Sequence, residues 1–387
     1  MKNDPIYLDN AATSWPKPPC VAEAMTSFMK EVGANPGRAG HRLANEAAGI
    51  VFDVRERIAR LFNCDDPLRV VFGANVTEAL NLALNGLLQP GDHVITTGME
   101  HNSMMRPLRA LERDGIRITV VPASKSGETD PDEIRKAIRR DTRLVAVNHA
   151  SNVTGCIAPV RETGSVAREN DLLFLVDTAQ SAGVLSIDMK DDCIDLIAFT
   201  GHKSLYGPMG TGGLVIGKRV DPLPRPLKRG GTGSRSTDEE QPDFLPDALE
   251  CGTPNVVGLS GLGASLEWIN DIGIAVIREH KQQLMRRCCD ALRSIADIRL
   301  YGPADHANKT AIVSFDIVGA DVSEVAQLLD ERFNVMCRSG LHCAPTAHRT
   351  IGTYPSGTVR FGIGYFTSKE DIDIAASAVA SIAREVS

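Results

Sequence analysis

The sequence has no apolar stretch long enough to cross a bilayer, and its first residues, MKNDPIYLDNAATSWPKPP, lack a charged-then-apolar leader. A cytoplasmic protein without membrane partners is the expectation. A basic surplus is also missing: 42 lysines and arginines face 49 aspartates and glutamates, for a net charge of -7 at pH 7. Nothing is left over to neutralise a phosphate backbone, so nucleic acid is not an expected partner. No CxxC pair occurs among the nine cysteines, at 20, 64, 156, 193, 251, 288, 289, 337 and 343. Their odd number and scatter argue against a disulfide framework and against zinc, and no metal site is expected. Internal repeats and low-complexity segments are absent too.

What is present is an ordinary globular composition, 43% hydrophobic and 24% charged, over 387 residues. That length is too great for one ordinary core and fits two domains. Short apolar or β-branched runs end in turn residues at VVF 70–72, HVITT 93–97, ITVVPA 118–123, RLVAVNHA 143–150, LLFLVD 172–177 and LIAFT 196–200. Helical stretches such as TEALNLALNGLL and DPDEIRKAIRRD lie between them. Nearly continuous apolar strands alternating with helices predict an α/β fold, its mainly parallel sheet covered on both faces. Residues 219–255, rich in proline, glycine and charge, read as a long functional loop. A helical period returns from Val256 to about Leu292, and strands AIVSFDIV and TVRFGIG with two more helices form a second unit. The expected division is a large domain over 1–268 and a smaller α+β domain over 269–387, the N-terminal segment packing on the smaller one.

Ligands of parallel sheets bind beyond the carboxyl ends of the strands, so the residues there are the ones to examine. LLFLVD ends on Asp177, where a carboxylate calls either for a cation or for a helix start to cap. LIAFT runs into Gly201-His202-Lys203 and a turn rich in glycine and proline, a setting that an exposed lysine does not need. An amine at one strand end and an anion at its neighbour match the two demands of pyridoxal phosphate, a Schiff-base partner and a group that keeps the ring nitrogen protonated. In VVFGANVTEALNL a strand and a glycine turn lead to a helix opening at Thr77-Glu78, which is either a phosphate cradle or merely a helix start. His101 follows HVITT and can cover a flat ring or serve as a structural histidine. Asn152 likewise contacts a ligand or shapes a turn.

Taken together, LDNAAT at 8–13, TEALN at 77–81, EHNS at 100–103, SNVTG at 151–155, VDTAQSAG at 176–183, TGHKSLYGP at 200–208 and CGTPN at 251–255 resemble the class V aminotransferases of pyridoxal-phosphate fold type I. Within them the chain is most similar to the cysteine desulfurases and selenocysteine lyases. The resemblance implies pyridoxal phosphate as cofactor, with Lys203 as Schiff-base lysine and proton carrier. It further implies Asp177 on the ring nitrogen, His101 stacked on the ring, and Gln180 and Asn152 at the phenolic oxygen. Val76, Thr77, Thr200 and His202 would hold the phosphate. Thr253 would reach in from a second subunit, which makes a homodimer with a shared active site.

The segment MCRSGLHCAPTAH places Cys343 in a glycine-containing loop near His342 and Arg338, a setting for a nucleophilic thiol rather than an inert one. In the desulfurases it resembles, the matching cysteine takes sulfur from L-cysteine as a persulfide and alanine is released. RSGLHCA is close to their RxGHHCA, with Leu341 in place of the first histidine. By the same resemblance Arg360, in TVRFGIG, clamps the substrate carboxylate, the alternative being an ordinary ion pair. Arg338, Asn152 and His41 would also bind the substrate, and Arg38 with His41 match a family loop at the active-site entrance, a structural turn being the alternative. The expected activity is a cysteine desulfurase, extending to selenocysteine, that passes sulfur to a protein acceptor. The alternatives are a class V aminotransferase, lyase or epimerase for another amino acid, and a sulfur-carrier or scaffold subunit without catalysis.

Overall fold

The computed structural model describes residues 5–37, 40–235 and 237–386. Strand β1 (Ile6–Tyr7) and helices α1 (Pro19–Ser27) and α2 (Arg42–Leu61) precede the first strand expected from the sequence, β2 (Val70–Gly73). The alternation then follows the expected pattern: α3 (Val76–Leu87), β3 (His93–Thr97), α4 (Asn102–Arg113), β4 (Arg117–Val121), α5 (Pro131–Ala137), β5 (Thr142–Asn148), α6 (Val160–Glu169), β6 (Leu173–Asp177) and β7 (Leu196–Thr200). A strand not anticipated, β8 (Gly212–Ile216), closes this part of the chain.

These strands make one seven-stranded sheet in the order β2-β8-β7-β6-β5-β3-β4. Neighbours from β7 through β4 are parallel, whereas β8 is antiparallel to both β7 and β2. Every residue of β3, β7 and β8 is buried, as expected of strands with helices on both faces. The strands from β3 to β7 share one carboxyl edge, so Thr97, Asn148, Asp177 and Thr200 end side by side. The turn from β7 into β8 carries Lys203 and needs its glycines for close approach: a Cβ on Gly201 would sit 2.1 Å from Thr211 Oγ1. Gly201 N–H donates to the Thr211 carbonyl and Gly207 N–H to that of Gly201, which fixes the turn.

Residues 217–255 contain no helix or strand among those described. Helices α7 (Val256–Ile272) and α8 (Ile274–Arg293) follow, joined at Gly273 with φ 89°; the division expected at 268/269 falls inside α7, just before this joint. Beyond it come β9 (Ile298–Tyr301), β10 (Ile312–Ile317), α9 (Val322–Phe333), β11 (Val335–Met336), β12 (Arg338–Gly340), α10 (Pro345–Ile351), β13 (Thr358–Gly362) and α11 (Lys369–Val386). Strands β12-β13-β10-β9 form an antiparallel sheet, and its core joins Val313, Phe315 and Phe361 to Met285, Leu329 and Val379 of the helices. Ile6 and Leu8 belong to that core as well, and β1 pairs in parallel with β11. No helix among the described residues is long and apolar enough to cross a membrane.

Candidate active site

At the carboxyl edge of the large sheet lies a cavity of about 200 Å³ lined by Val76, Thr77, His101, Ser103, Asn152, Asp177, Gln180, Thr200, His202 and Lys203, together with Asn75, Asn148, Ala150 and Ala179. All the candidate cofactor residues apart from Thr253 therefore meet at one place, although they come from five different strand ends.

Asp177 ends β6, is 4% exposed, and accepts hydrogen bonds from the backbone N–H of Ala179 at 2.9 Å and from Ser103. No helix starts there, so it caps a turn rather than a helix, and it also faces the cavity. Burial pushes its pKa up, while Lys203 and these hydrogen bonds pull it down; no ion pair is made to it among the described residues. Lys203 lines the same cavity, and loss of water around its amine lowers its pKa to about 8, with Asp177 opposing that shift. A large fraction of the amine is then neutral near pH 8, the form that bonds to an aldehyde.

His101 is the N-cap of α4: its Nδ1 accepts from the Ser103 N–H at 3.0 Å. That bond leaves the proton of the neutral ring on Nε2. Burial, followed by the charges of Lys203, Arg338 and Arg360, lowers its pKa to about 4, so the ring is neutral at physiological pH. Ser103 touches both His101 and Asp177, a link the sequence reading missed. Beneath them Glu100 is wholly buried; its Oε1 accepts from Thr97 Oγ1 at 2.7 Å and from the Asn148 N–H at 3.1 Å, while Oε2 has no partner. Burial lifts this carboxyl to about 8, so at neutral pH it is mostly protonated.

Helix α3 opens at the other end of the cavity. The side chain of Asn75 accepts from the Glu78 N–H at 3.0 Å and Glu78 reaches back to the Ala74 N–H at 2.7 Å, so the helix start is capped from both directions. The N–H groups of Val76 and Thr77, in the first turn, have no carbonyl within the helix and sit at its positive end. Nearby, His202 Nδ1 is buried without a partner.

Pyridoxal phosphate fits this set of residues on three counts. A buried carboxylate without an ion pair suits a protonated ring nitrogen, a desolvated amine suits an aldehyde, and a helix start beside an unpartnered imidazole nitrogen suits a phosphate. Gln180, held by Nε2 donating to the Ala11 carbonyl at 2.9 Å, keeps a second N–H on that nitrogen. Asn152 lines the cavity and has a second task as well. Its Nδ2 donates to the His342 carbonyl at 2.7 Å and its Oδ1 is buried without a partner, so its amide fastens the Cys343 loop.

Cys343 is the exposed member of nine free cysteines. The contrast is chemical, because burial pushes the thiols of Cys156 and Cys337 up to about 12. Arg338 Nη2 donates to Cys343 Sγ at 3.3 Å, and the Asn102 N–H donates to the Cys343 carbonyl at 2.8 Å, next to His101. Arg360 lies on β13 beside Arg338 in the sheet register, 1% exposed, and is paired with Asp9 at 2.6 Å.

His41 and Thr253 are not brought here within the single chain. His41 is an exposed N-cap of α2, accepting at Nδ1 from the Ala44 N–H, and Arg38 lies outside the described residues. Thr253 lines a different cavity of about 440 Å³, which borders the other side of the α3 start at Ala74 and Glu78.

The family model for aminotransferase class-V matches residues 6–374. A probable cysteine desulfurase of Methanothermobacter thermautotrophicus is 37% identical over 99% of this chain and 96% of its own length. A cysteine desulfurase of Pectobacterium carotovorum is 33% identical over 95% and 90%. Among solved structures, the apo cysteine desulfurase of Thermococcus onnurineus superposes with a TM-score of 0.93 at 32% identity, covering 99% of this chain and 96% of that one. The cysteine desulfurase CsdA of Escherichia coli, in an S-sulfonic acid form, gives 0.88 at 30% identity over 100% and 96%.

Proposed function

The chain belongs to the class V aminotransferase family, whose members use pyridoxal phosphate, and we propose that it is a cysteine desulfurase acting through Cys343. The observation that carries this reading is Cys343 itself, an exposed thiol whose sulfur accepts a guanidinium hydrogen bond and whose carbonyl is tied to α4 directly after His101.

When bound, pyridoxal phosphate supplies an electron-withdrawing ring that takes up charge from the substrate α-carbon. Asp177 would hold the proton on the ring nitrogen, the neutral imidazole of His101 would pack against the ring, and Gln180 would donate to the phenolic oxygen. Val76 and Thr77, with Thr200 and His202, hold the phosphate. Lys203 anchors the cofactor and, with a pKa near 8, carries the proton to and from the substrate α-carbon. Arg360 binds the substrate carboxylate. The Cys343 thiolate attacks the substrate sulfur: a sulfur–sulfur bond forms, the Cβ–S bond breaks, and its electron pair stays on the three-carbon fragment. Protonation of that fragment gives alanine and leaves Cys343 as a persulfide.

The enzyme works as a homodimer whose partner supplies Thr253. Supporting this, Thr253 is exposed in a cavity that also exposes Phe52 and Leu227, 44% and 43% accessible. The persulfide sulfur then passes to a protein acceptor. Quantifying alanine and sulfide from L-cysteine with the wild type and Cys343→Ala tests the reading, which requires both products from the wild type alone.

A further inference from the structure

The segment LDNAAT has no role in the chemistry above, yet it touches that chemistry at three points. Leu8 N–H donates to the Met336 carbonyl at 2.8 Å, Gly362 N–H to the Leu8 carbonyl at 2.6 Å, and Asn10 N–H to the Gly362 carbonyl at 3.1 Å. Further along, the Ala11 carbonyl accepts from Gln180, and the His202 carbonyl accepts from the Ser14 N–H and from Lys17 Nζ. This packing leaves no slack. A Cβ on Gly362 would lie 2.6 Å from the Ala11 nitrogen, and one on Gly364 would lie 2.5 Å from Asn10 Oδ1. The backbone around Asp9 is therefore fixed on the small sheet, two residues beyond Arg360.

Asp9 Oδ1 accepts from Arg360 Nη2 at 2.6 Å, while Arg360 Nη1 donates to the Asn152 carbonyl at 3.1 Å. Arg360 Nε is buried and has no partner. A guanidinium has five N–H donors, and these two bonds leave three, enough for a carboxylate held at two points. A guanidinium buried to this degree also requires an anion beside it in the free enzyme. Asp9, with a side chain 22% exposed against 1% for Arg360, is that anion.

We infer that Asp9 is a positioning residue for substrate recognition: it holds one edge of Arg360 from the N-terminal segment and aims the remaining donors at the substrate carboxylate. The inference rests on Arg360 being the carboxylate clamp. Lengthening, shifting or neutralising Asp9 lets the guanidinium turn, and affinity for a carboxylate falls while affinity for an amine without one does not.

The test uses the purified holoenzyme titrated with L-alanine and with ethylamine, which is alanine without its carboxylate, following the visible band of the bound cofactor. Asp9→Asn weakens L-alanine about tenfold, as expected for loss of an aimed charge-assisted contact, and leaves ethylamine within about twofold. The KM for L-cysteine rises by a similar factor while kcat stays within about threefold. Asp9→Glu, which keeps the charge, regains part of the lost affinity and serves as the assay variant where Asp9→Asn does not fold. Arg360→Lys checks the premise, losing affinity for L-alanine and not for ethylamine. Equal weakening of both ligands by Asp9→Asn, or no weakening of alanine, overturns the inference. An Arg360→Lys enzyme that treats the two ligands alike overturns the clamp reading, and the inference with it.

Discussion

The carbonyl of His342 accepts a hydrogen bond from Asn152 Nδ2 at 2.7 Å, which joins the loop of the reactive thiol to the wall of the cofactor cavity. The loop needs such fastening, because His342 and Cys343 are consecutive non-glycine residues in left-handed backbone, with φ of 48° and 58°. Each is disfavoured by about 1–2 kcal/mol outside a structure that enforces it. Asn152→Ala is expected to lower alanine production about tenfold or more, since a misplaced nucleophile loses effective concentration. Alkylation of Cys343 by iodoacetamide should become faster in the same variant, and unchanged alkylation with full activity would contradict the role given to this contact.

Asp177 is assigned a charge, not a shape. Asp177→Asn keeps the size and the bond from Ala179 but cannot hold a proton on the ring nitrogen. The expected result is retained cofactor, read from the visible spectrum, with turnover reduced on the order of 100-fold or more.

Glu100 gives a pH signature of stability. Its pKa is raised from 4.5 to about 8 in the folded protein, so the fold binds a proton that the unfolded chain has released. Its contribution is full below pH 4.5 and is lost as pH rises through about 8. Glu100→Gln, neutral throughout, should gain stability relative to wild type between pH 5 and pH 8, on the order of a few kcal/mol. Thermal melts of both proteins at several pH values check this, and parallel pH profiles would refute it.

Much of the large sheet can be read directly from sequence, because strands buried on both faces are continuous apolar runs, as in LFLVD and LIAFT. Strand β8 is hidden for a physical reason. Its glycines are demanded by neighbours, since a Cβ on Gly213 would fall 2.3 Å from the Val71 carbonyl oxygen, and such a run reads as a loop. Likewise Lys203 and Asp177 are legible from their places at strand ends. Ser103, Glu100 and Asp9 are not, although all three lie inside the quoted motifs. What each does depends on a partner brought from elsewhere in the chain or on complete burial. A signal was available for Glu100, an acid placed directly before His101 at a buried strand end. Asp9 offers none, because Arg360 is reached only through the pairing of the N-terminal segment with the small sheet.

The long loop over 217–255 is held by Glu250, whose carboxylate pairs with Arg55 at 2.5 Å and accepts from the Phe72 N–H at 2.5 Å. Arg55→Met leaves that carboxylate without its cation in a largely buried place, at an expected loss of about 3 kcal/mol. Thr253 follows three residues on, so in the proposed homodimer, where it reaches the partner, sedimentation of the variant should also show weakened association. A variant as stable and as dimeric as wild type would separate this ion pair from the placement of Thr253.

The central claim is that Cys343 takes sulfur from L-cysteine in a site organised by Lys203 and Asp177. Alanine and sulfide released from L-cysteine under reductant, compared between wild type and Cys343→Ala with equal cofactor content, test it most directly. The account predicts equimolar alanine and sulfide from the wild type and neither from the variant. Alanine formed at an undiminished rate by Cys343→Ala would contradict it.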